Sequence, residues 1–540
     1  MEFIYNRLFN KKFKDPYKKF GKSKTYGILK KIPILLGKNV ILQYFNNLYM
    51  SPLKRRTFMK NVVTAGVGAT VLPINSLTAN NVQEEIALEW PKPSAVSKKI
   101  IIGGAGIGGL CCAYELMKKG HEVIVLEASG RHGGHVYTTR DELSDGLYAD
   151  FGQEHIVKKP SYERYWEYLK EFNITAIPYL RLINQKRRIN GKFYTEQMLK
   201  DPSILKTFGF NKREIEYLSR HRWAELRLLY TKPFLDAFKD EYQPFGVGYD
   251  ELDKIPMSEF YKKEGASPAA LLFLGGNNSS ALYELWFAAI LKIRGVATNP
   301  TDVFRLKGGN QMLPNAFAKR LGPRVWLDCT ITSINNGETG VTVTYKRQKE
   351  VKEITADYFV NCIPLPALKN IPIHPALPEK KQYINENITY DSYQRFVFQA
   401  SSKFWEKDGY KDINMSLGHP DLWGVWQSST ETVDTHRVII LGTGPGGVSP
   451  QRALAAFRET YPGKGDSIEL AVGRDWTKQK YSPNCERTAF PIGELHKFWP
   501  HIMEPQGRIH FAGAYADNLN WGTEAATRSA NRVAETIDKL

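Results

Sequence analysis

The sequence predicts an α/β fold in which a domain built on a parallel sheet is joined to a second, α+β domain. Three observations carry that expectation. At 540 residues, 42% apolar and 24% charged, the chain has the length for two or three ordinary domains with sizeable cores. From Lys98 to Glu127 the pattern runs strand, glycine-rich turn, helix, strand, the order that builds parallel sheets. Residues 156–300 are mostly helical by pattern, with Ser267-Pro268 as an N-cap and first-turn proline, whereas 371–500 mix strands with aromatic-rich loops.

The net charge of +18 raises the question of a nucleic-acid partner, and its distribution answers it. Residues 1–60 hold 15 Lys or Arg against Glu2 and Asp15, a surplus of +13 that leaves only +5 for the other 480 residues. The globular part therefore gives no electrostatic case for binding DNA or RNA. Lys54-Arg55-Arg56-Thr57-Phe58-Met59-Lys60 precedes an uncharged, weakly apolar stretch from Val62 to Leu77, and resembles a twin-arginine export signal with a cleavage site at Leu77-Thr78-Ala79. Pro73, Asn75 and Ser76 cut the apolar run to about half of the ~20 residues that a membrane span needs. The signal is placed at 50–79 and a linker at 80–97, with Met50 as an ordinary start. The basic stretch 1–49 is then either untranslated or a disordered extension. Export machinery becomes an expected partner, and the periplasm or the exterior the expected location. Cys111, Cys112, Cys329, Cys362 and Cys485 show neither CxxC spacing nor an even-numbered framework, so neither a metal site nor a disulfide scaffold is indicated.

Lys98 to Ile102 is a short β-branched strand that runs into Gly103-Gly104-Ala105-Gly106-Ile107-Gly108-Gly109 and then an apolar-faced helix through Lys119, ended by Gly120. Gly104 permits the tight turn, Gly106 lets a pyrophosphate approach the backbone, and Gly109 lets helix pack on strand. The helix N-terminus, from Ile107 and Gly108 onward, offers free N–H groups and about half a positive charge to phosphates. A second strand, Glu122 to Leu126, ends at Glu127, 23 residues after Gly104, where a carboxylate can accept both ribose hydroxyls. This is a Rossmann-like dinucleotide site.

The next segment, Glu127-Ala128-Ser129-Gly130-Arg131-His132-Gly133-Gly134-His135, resembles the arginine and paired-glycine motif of the flavin-dependent amine oxidases. The resemblance covers Lys98 to Leu540. It implies FAD as the cofactor, held at its pyrophosphate by Arg131, Gly133 and Gly134, with His135 where the family usually has a second arginine. It implies further contacts from Ala128, from the loop Gly152-Gln153-Glu154 beside the flavin ring, and from Ile331 at the adenine. The closing stretch through Gly513, Ala514, Trp521, Gly522 and Thr523 completes the site. By the same resemblance the FAD-binding domain is discontinuous, comprising 98–155, 301–370 and 501–540, and the insertions 156–300 and 371–500 form the substrate domain. That is the two-domain flavoprotein architecture of the amine oxidases, similar also to the glucose-methanol-choline flavoproteins.

Oxidising a carbon–nitrogen bond with a flavin needs a neutral amine, an aligned C–H and a dry pocket more than acid-base machinery. Arg395 stands where many family members have a lysine that holds a water; the other reading is a strand arginine paired with a nearby carboxylate. Trp476 and Cys485 fall in a segment similar to that of monoamine oxidases, whose cysteine bonds covalently to FAD. A buried structural thiol is the alternative for Cys485. Glu486 replaces the tyrosine of the aromatic cage, and Trp521 is the candidate for its other wall. His155 lies where L-amino-acid oxidases have an arginine for the substrate carboxylate, so His155 and Glu486 read either as substrate-recognising groups or as polar lining. The resemblance implies an oxidase of a small amine or amino-acid-derived substrate that uses O2 and releases peroxide. The rivals are a flavin dehydrogenase, desaturase or isomerase acting on a C–C bond, and an accessory flavin-binding protein without turnover.

Overall fold

The computed structural model describes residues 97–181, 183–391, 393–428, 434–483, 488–519 and 522–540. The basic extension, the export signal and nearly all of the linker lie outside the described residues, as do Cys485, Glu486 and Trp521.

The strand Lys99–Gly103 is central in a five-stranded sheet. Glu122–Leu126 and then Val325–Trp326 lie on one side of it, Tyr358–Asn361 and then Ile509–Phe511 on the other, and every pairing is parallel. Parallel sheets survive only when both faces are covered, and here both are. Ile100 and Ile102 pack among the residues of the helix Ile107–Lys118 and the C-terminal helix Gly522–Lys539. Ile101, between them in sequence, points into the opposite core with Phe359 and Ile331. All three isoleucines are fully buried, each contributing about 1.5–3 kcal/mol of hydrophobic stabilisation.

A second sheet places Glu350–Ala356, Val341–Arg347 and Cys329–Asn336 antiparallel, with Ile373–His374 added in parallel. The largest sheet has seven strands: Ile468–Asp475, Gln394–Ala400, Val438–Gly444, Leu422–Gln427, Asn414–His419, Lys186–Ile189 and Lys192–Tyr194 in spatial order. Its last two strands come from the stretch that reads as mostly helical. Lys186-Arg187-Arg188-Ile189 has no apolar alternation, but it pairs locally with Lys192–Tyr194 across Asn190-Gly191, a two-residue turn with both φ positive, while its other neighbour, Asn414–His419, lies more than 200 residues away. Apart from the short strands Ile156–Val157 and Ala176–Pro178, the regular elements in the remainder of that stretch are helical, and Ser267 caps Pro268–Leu274 by accepting from the Ala270 N–H. No helix of the described residues is long and apolar enough to cross a membrane.

Candidate active site

The strand Lys99–Gly103 delivers the chain into the turn through Gly104, whose φ of +97° is open to glycine and strained for other residues. Gly109, one helical turn on, is required for a different reason: a Cβ there would lie 2.0 Å from the Gly104 carbonyl oxygen. Helix and strand therefore meet backbone to backbone. At Gly106 a Cβ would meet nothing within 4 Å, because the backbone there faces a cavity of about 830 Å³.

That cavity gathers segments far apart in sequence. Gly104, Gly106, Ile107 and Gly108 line it with Glu127, Ala128, Arg131, Gly133, Gly134 and His135. Gly152, Gln153, Glu154 and His155 join them, as do Ile331, Arg395, Trp476, Gly513, Ala514, Gly522 and Thr523. Among the described residues anticipated for the site, Gly109 alone is outside the lining, being packed against the turn.

Glu127 is buried and already organised: one carboxylate oxygen accepts from the Ala105 N–H at 2.7 Å, the other from Ser129 N at 2.9 Å and Ser129 Oγ at 2.7 Å. Arg131 donates to the carbonyls of His132 at 3.2 Å, Val136 at 3.4 Å and Gly134, and lies 4.6 Å from the Tyr137 ring centroid, so its guanidinium ties the glycine turn together. Burial, then the charge of Arg474, lowers its pKa to about 10, which leaves it cationic at neutral pH. His135 is not a second cation. Burial, reinforced by Arg395, Arg131 and Arg474, lowers it to about 3, and its ring packs 4.1 Å from that of Trp476.

Trp476 is fully buried and donates its indole N–H to the Phe151 carbonyl at 2.9 Å, pinning the loop that carries Gly152. Gly152 has no room for a side chain, since a Cβ would stand 1.6 Å from the His135 carbonyl oxygen. Next in that loop, Glu154 is buried between two arginines, with Arg181 Nε at 3.0 Å and Arg395 Nη1 at 3.4 Å. Burial opposes its ionisation, but the two guanidiniums prevail and hold its carboxyl well below the usual range. Arg395 therefore has a carboxylate partner and a place in the cavity lining at once.

Buried polar atoms of the lining without a hydrogen-bond partner among the described residues include Gln153 Oε1, Arg395 Nε, Arg474 Nε and Thr523 Oγ1, the last at the start of the C-terminal helix. Residues that sequence reasoning missed include Arg474, Tyr390 and Arg181. Arg474 had a signal: it lies two residues before Trp476, and its guanidinium stacks 4.8 Å from that ring. Arg181 had none, because its contacts with Glu154 and with the Trp426 ring at 3.6 Å are made across the fold.

A family model described as flavin containing amine oxidoreductase matches residues 107–538. The chain is 26% identical over 483 residues to an L-amino-acid oxidase of Vipera ammodytes ammodytes, covering 84% of this chain and 96% of that protein. It is likewise 26% identical to an L-amino acid oxidase of Bothrops pictus, over 84% of this chain and 93% of the relative. Among solved structures its fold is similar to cyclohexylamine oxidase from Brevibacterium oxydans IH-35A (TM-score 0.67, 20% identity, 82% of this chain and 99% of that one). It is similar also to putrescine oxidase bound to putrescine (TM-score 0.66, 18% identity, 82% and 100%).

Proposed function

The chain belongs to the flavin containing amine oxidoreductase family, and from that premise we propose that it oxidises a C–N bond of a small amine or amino acid. The family implies FAD, and the residues present fit it. The cavity is large, the glycine backbone at Gly106 is open to it, and Thr523 Oγ1 and Gln153 Oε1 are buried polar atoms in want of a partner. FAD, when bound, supplies the acceptor for a hydride leaving the carbon beside nitrogen and passes the electrons to O2, giving peroxide, while the imine hydrolyses in water.

In this reading the helix N-terminus at Ile107 and Gly108 receives the pyrophosphate, with Arg131, Gly133, Gly134 and the neutral His135 beside it. Glu127 takes the ribose, and Ala128 and Ile331 flank the adenine side. Gly513, Ala514, Gly522 and Thr523 close the site from the C-terminal helix. The loop Gly152 to Glu154 edges the reacting part. Arg395 keeps a cation there, with an Nε that has no hydrogen-bond acceptor among the described residues and can donate to water. Trp476 excludes solvent from the same region, where His155 meets the substrate. The single observation that carries the reading is that one cavity joins the dinucleotide turn to Arg395, His155 and Trp476. The named L-amino-acid oxidase relatives favour an amino acid over a simple arylalkyl amine.

The test is an aerobic screen of amines and amino acids that records peroxide and flavin bleaching together. We expect both with at least one amino acid. Bleaching without peroxide gives a dehydrogenase instead, and no bleaching by any amine or amino acid removes the reading. For Cys485 we expect a structural thiol, so acid or detergent denaturation should release all the yellow colour; colour retained on the protein would establish a covalent link. We further propose that residues 50–79 act as a twin-arginine-type export signal. Sequencing the N-terminus of the mature protein checks this, with a start near residue 80 expected and an intact Arg55-Arg56 overturning it.

A further inference from the structure

A second cavity, of about 400 Å³, shares His155 and Tyr162 with the first. Its lining includes Arg181, Arg187, Arg188, Arg222 and Arg227, against one carboxylate, Glu196. Five guanidiniums round so small a space would repel one another unless something answers them. Part of the answer is internal. Glu196 pairs with Arg222 at 3.2 Å, and Glu154, from the wall of the first cavity, pairs with Arg181 at 3.0 Å.

Of the remaining three, Arg187 is engaged, and Arg188 and Arg227 have no ion-pair partner among the described residues. Arg188 has no side-chain hydrogen bond among those residues either; it extends from the short strand Lys186–Ile189 that the large sheet holds in place. Arg227 donates from Nη2 to the Thr298 carbonyl at 3.0 Å, and its Nε is buried with no acceptor. The acid that most offsets its charge, Glu284, does not line the cavity and is engaged with Ser279. A buried donor left unmade is destabilising, a cost that a bound anion would remove. Guanidinium forks match planar or tetrahedral oxyanions in two-point fashion, and the apolar surfaces of Trp223, Phe273 and Trp423 complete the enclosure.

We propose that this arginine-lined cavity binds an acidic group, carboxylate or phosphate, at the far end of the amine that is oxidised in the first. The proposal rests on the amine-oxidation reading, and the shared wall at His155 is what makes one molecule the occupant of both cavities. It gives the site a substrate class, an amine or amino acid with a distal oxyanion, and it gives Arg188 and Arg227 the task of selecting it.

The experiment uses the flavin-loaded protein, wild type and the variants Arg188→Gln, Arg227→Gln and Arg188→Lys. Steady-state oxidation of glutamate and O-phosphoserine is compared with that of their uncharged counterparts, glutamine and serine. Binding of glutarate and of inorganic phosphate is followed separately by the rise in unfolding temperature. We expect kcat/KM to favour the acidic member of at least one pair by tenfold or more. Both Gln variants should cut that preference at least tenfold, mainly through KM, with Arg188→Lys keeping part of it. Preference in the glutamate pair identifies a carboxylate, preference in the phosphoserine pair a phosphate. Turnover with no acidic preference, or a preference the Gln variants leave intact, overturns the proposal while amine oxidation stands. If nothing is oxidised but glutarate or phosphate stabilises wild type and not Arg188→Gln, amine oxidation fails and the anion site stands. No turnover and no stabilisation overturns both.

Discussion

Glu154 accepts a hydrogen bond from Arg181 Nε at 3.0 Å with both side chains buried. The pair joins the two cavities, because Glu154 lines the larger and Arg181 the smaller. Through its other oxygen Glu154 also faces Arg395, so one carboxylate balances two buried guanidiniums.

Replacing that carboxylate removes the ion-pair partner that both arginines share, and breaking a buried pair by removing one partner costs about 3–5 kcal/mol. Glu154→Gln is expected to destabilise the protein by about that much, read from the urea unfolding midpoint. A variant within roughly 0.5 kcal/mol of wild type would show that solvent screens the arginines.

Gly152→Ala forces a Cβ to within 1.6 Å of the His135 carbonyl oxygen, so the two loops that line the larger cavity must separate. Overpacking of this kind costs about 1–3 kcal/mol, and flavin content after purification should fall sharply. Full flavin content at wild-type stability would mean that the loops part without consequence.

Thr523→Val separates binding from folding. The hydroxyl is buried without a partner among the described residues, so removing it costs the flavin-free protein nothing and can stabilise it. If that hydroxyl serves the cofactor, the FAD dissociation constant rises about five- to tenfold, equal to roughly 1–1.4 kcal/mol. An unchanged constant by fluorescence titration assigns Thr523 no part in the site.

Acidification tests His135 in the flavin-free protein. Its folded pKa is lowered to about 3, by burial first and then by Arg395, Arg131 and Arg474. The unfolded chain therefore binds a proton below pH ~6.5 that the folded chain refuses. The histidine's contribution is fully present above that pH and is lost as pH falls toward 3. Asp150 and Glu524 are raised by burial to about 6 and about 7 and act with the opposite sign, so the informative quantity is a difference. Relative to wild type, His135→Gln should gain about 2 kcal/mol between pH 7 and pH 5. A pH-independent difference would place a charged imidazole in the fold.

Much of the fold was legible because its signals are local. The turn at Gly104 needs a positive φ, the strand before it needs β-branched residues, and Ser267-Pro268 needs only its own helix to act as a cap. Such requirements are written within a few residues of where they act. The strand Lys186–Ile189 had a local signal only in the Asn190-Gly191 turn that pairs it with Lys192–Tyr194; its place beside Asn414–His419 was not legible, because a charged, non-alternating segment joins a large sheet only when a distant strand presents a free edge.

The same division holds for the site. Sequence alone determined the dinucleotide turn, its acidic partner Glu127 and the set of segments that resemble a flavin enzyme, since those depend on backbone geometry and residue order. Only the tertiary structure decided what the polar side chains do to one another. It pairs Arg395 with Glu154, keeps His135 neutral among arginines and leaves Arg188 and Arg227 facing an enclosed space beside His155. Charge compensation and burial are properties of neighbours in space, and these neighbours lie tens to hundreds of residues apart in the chain.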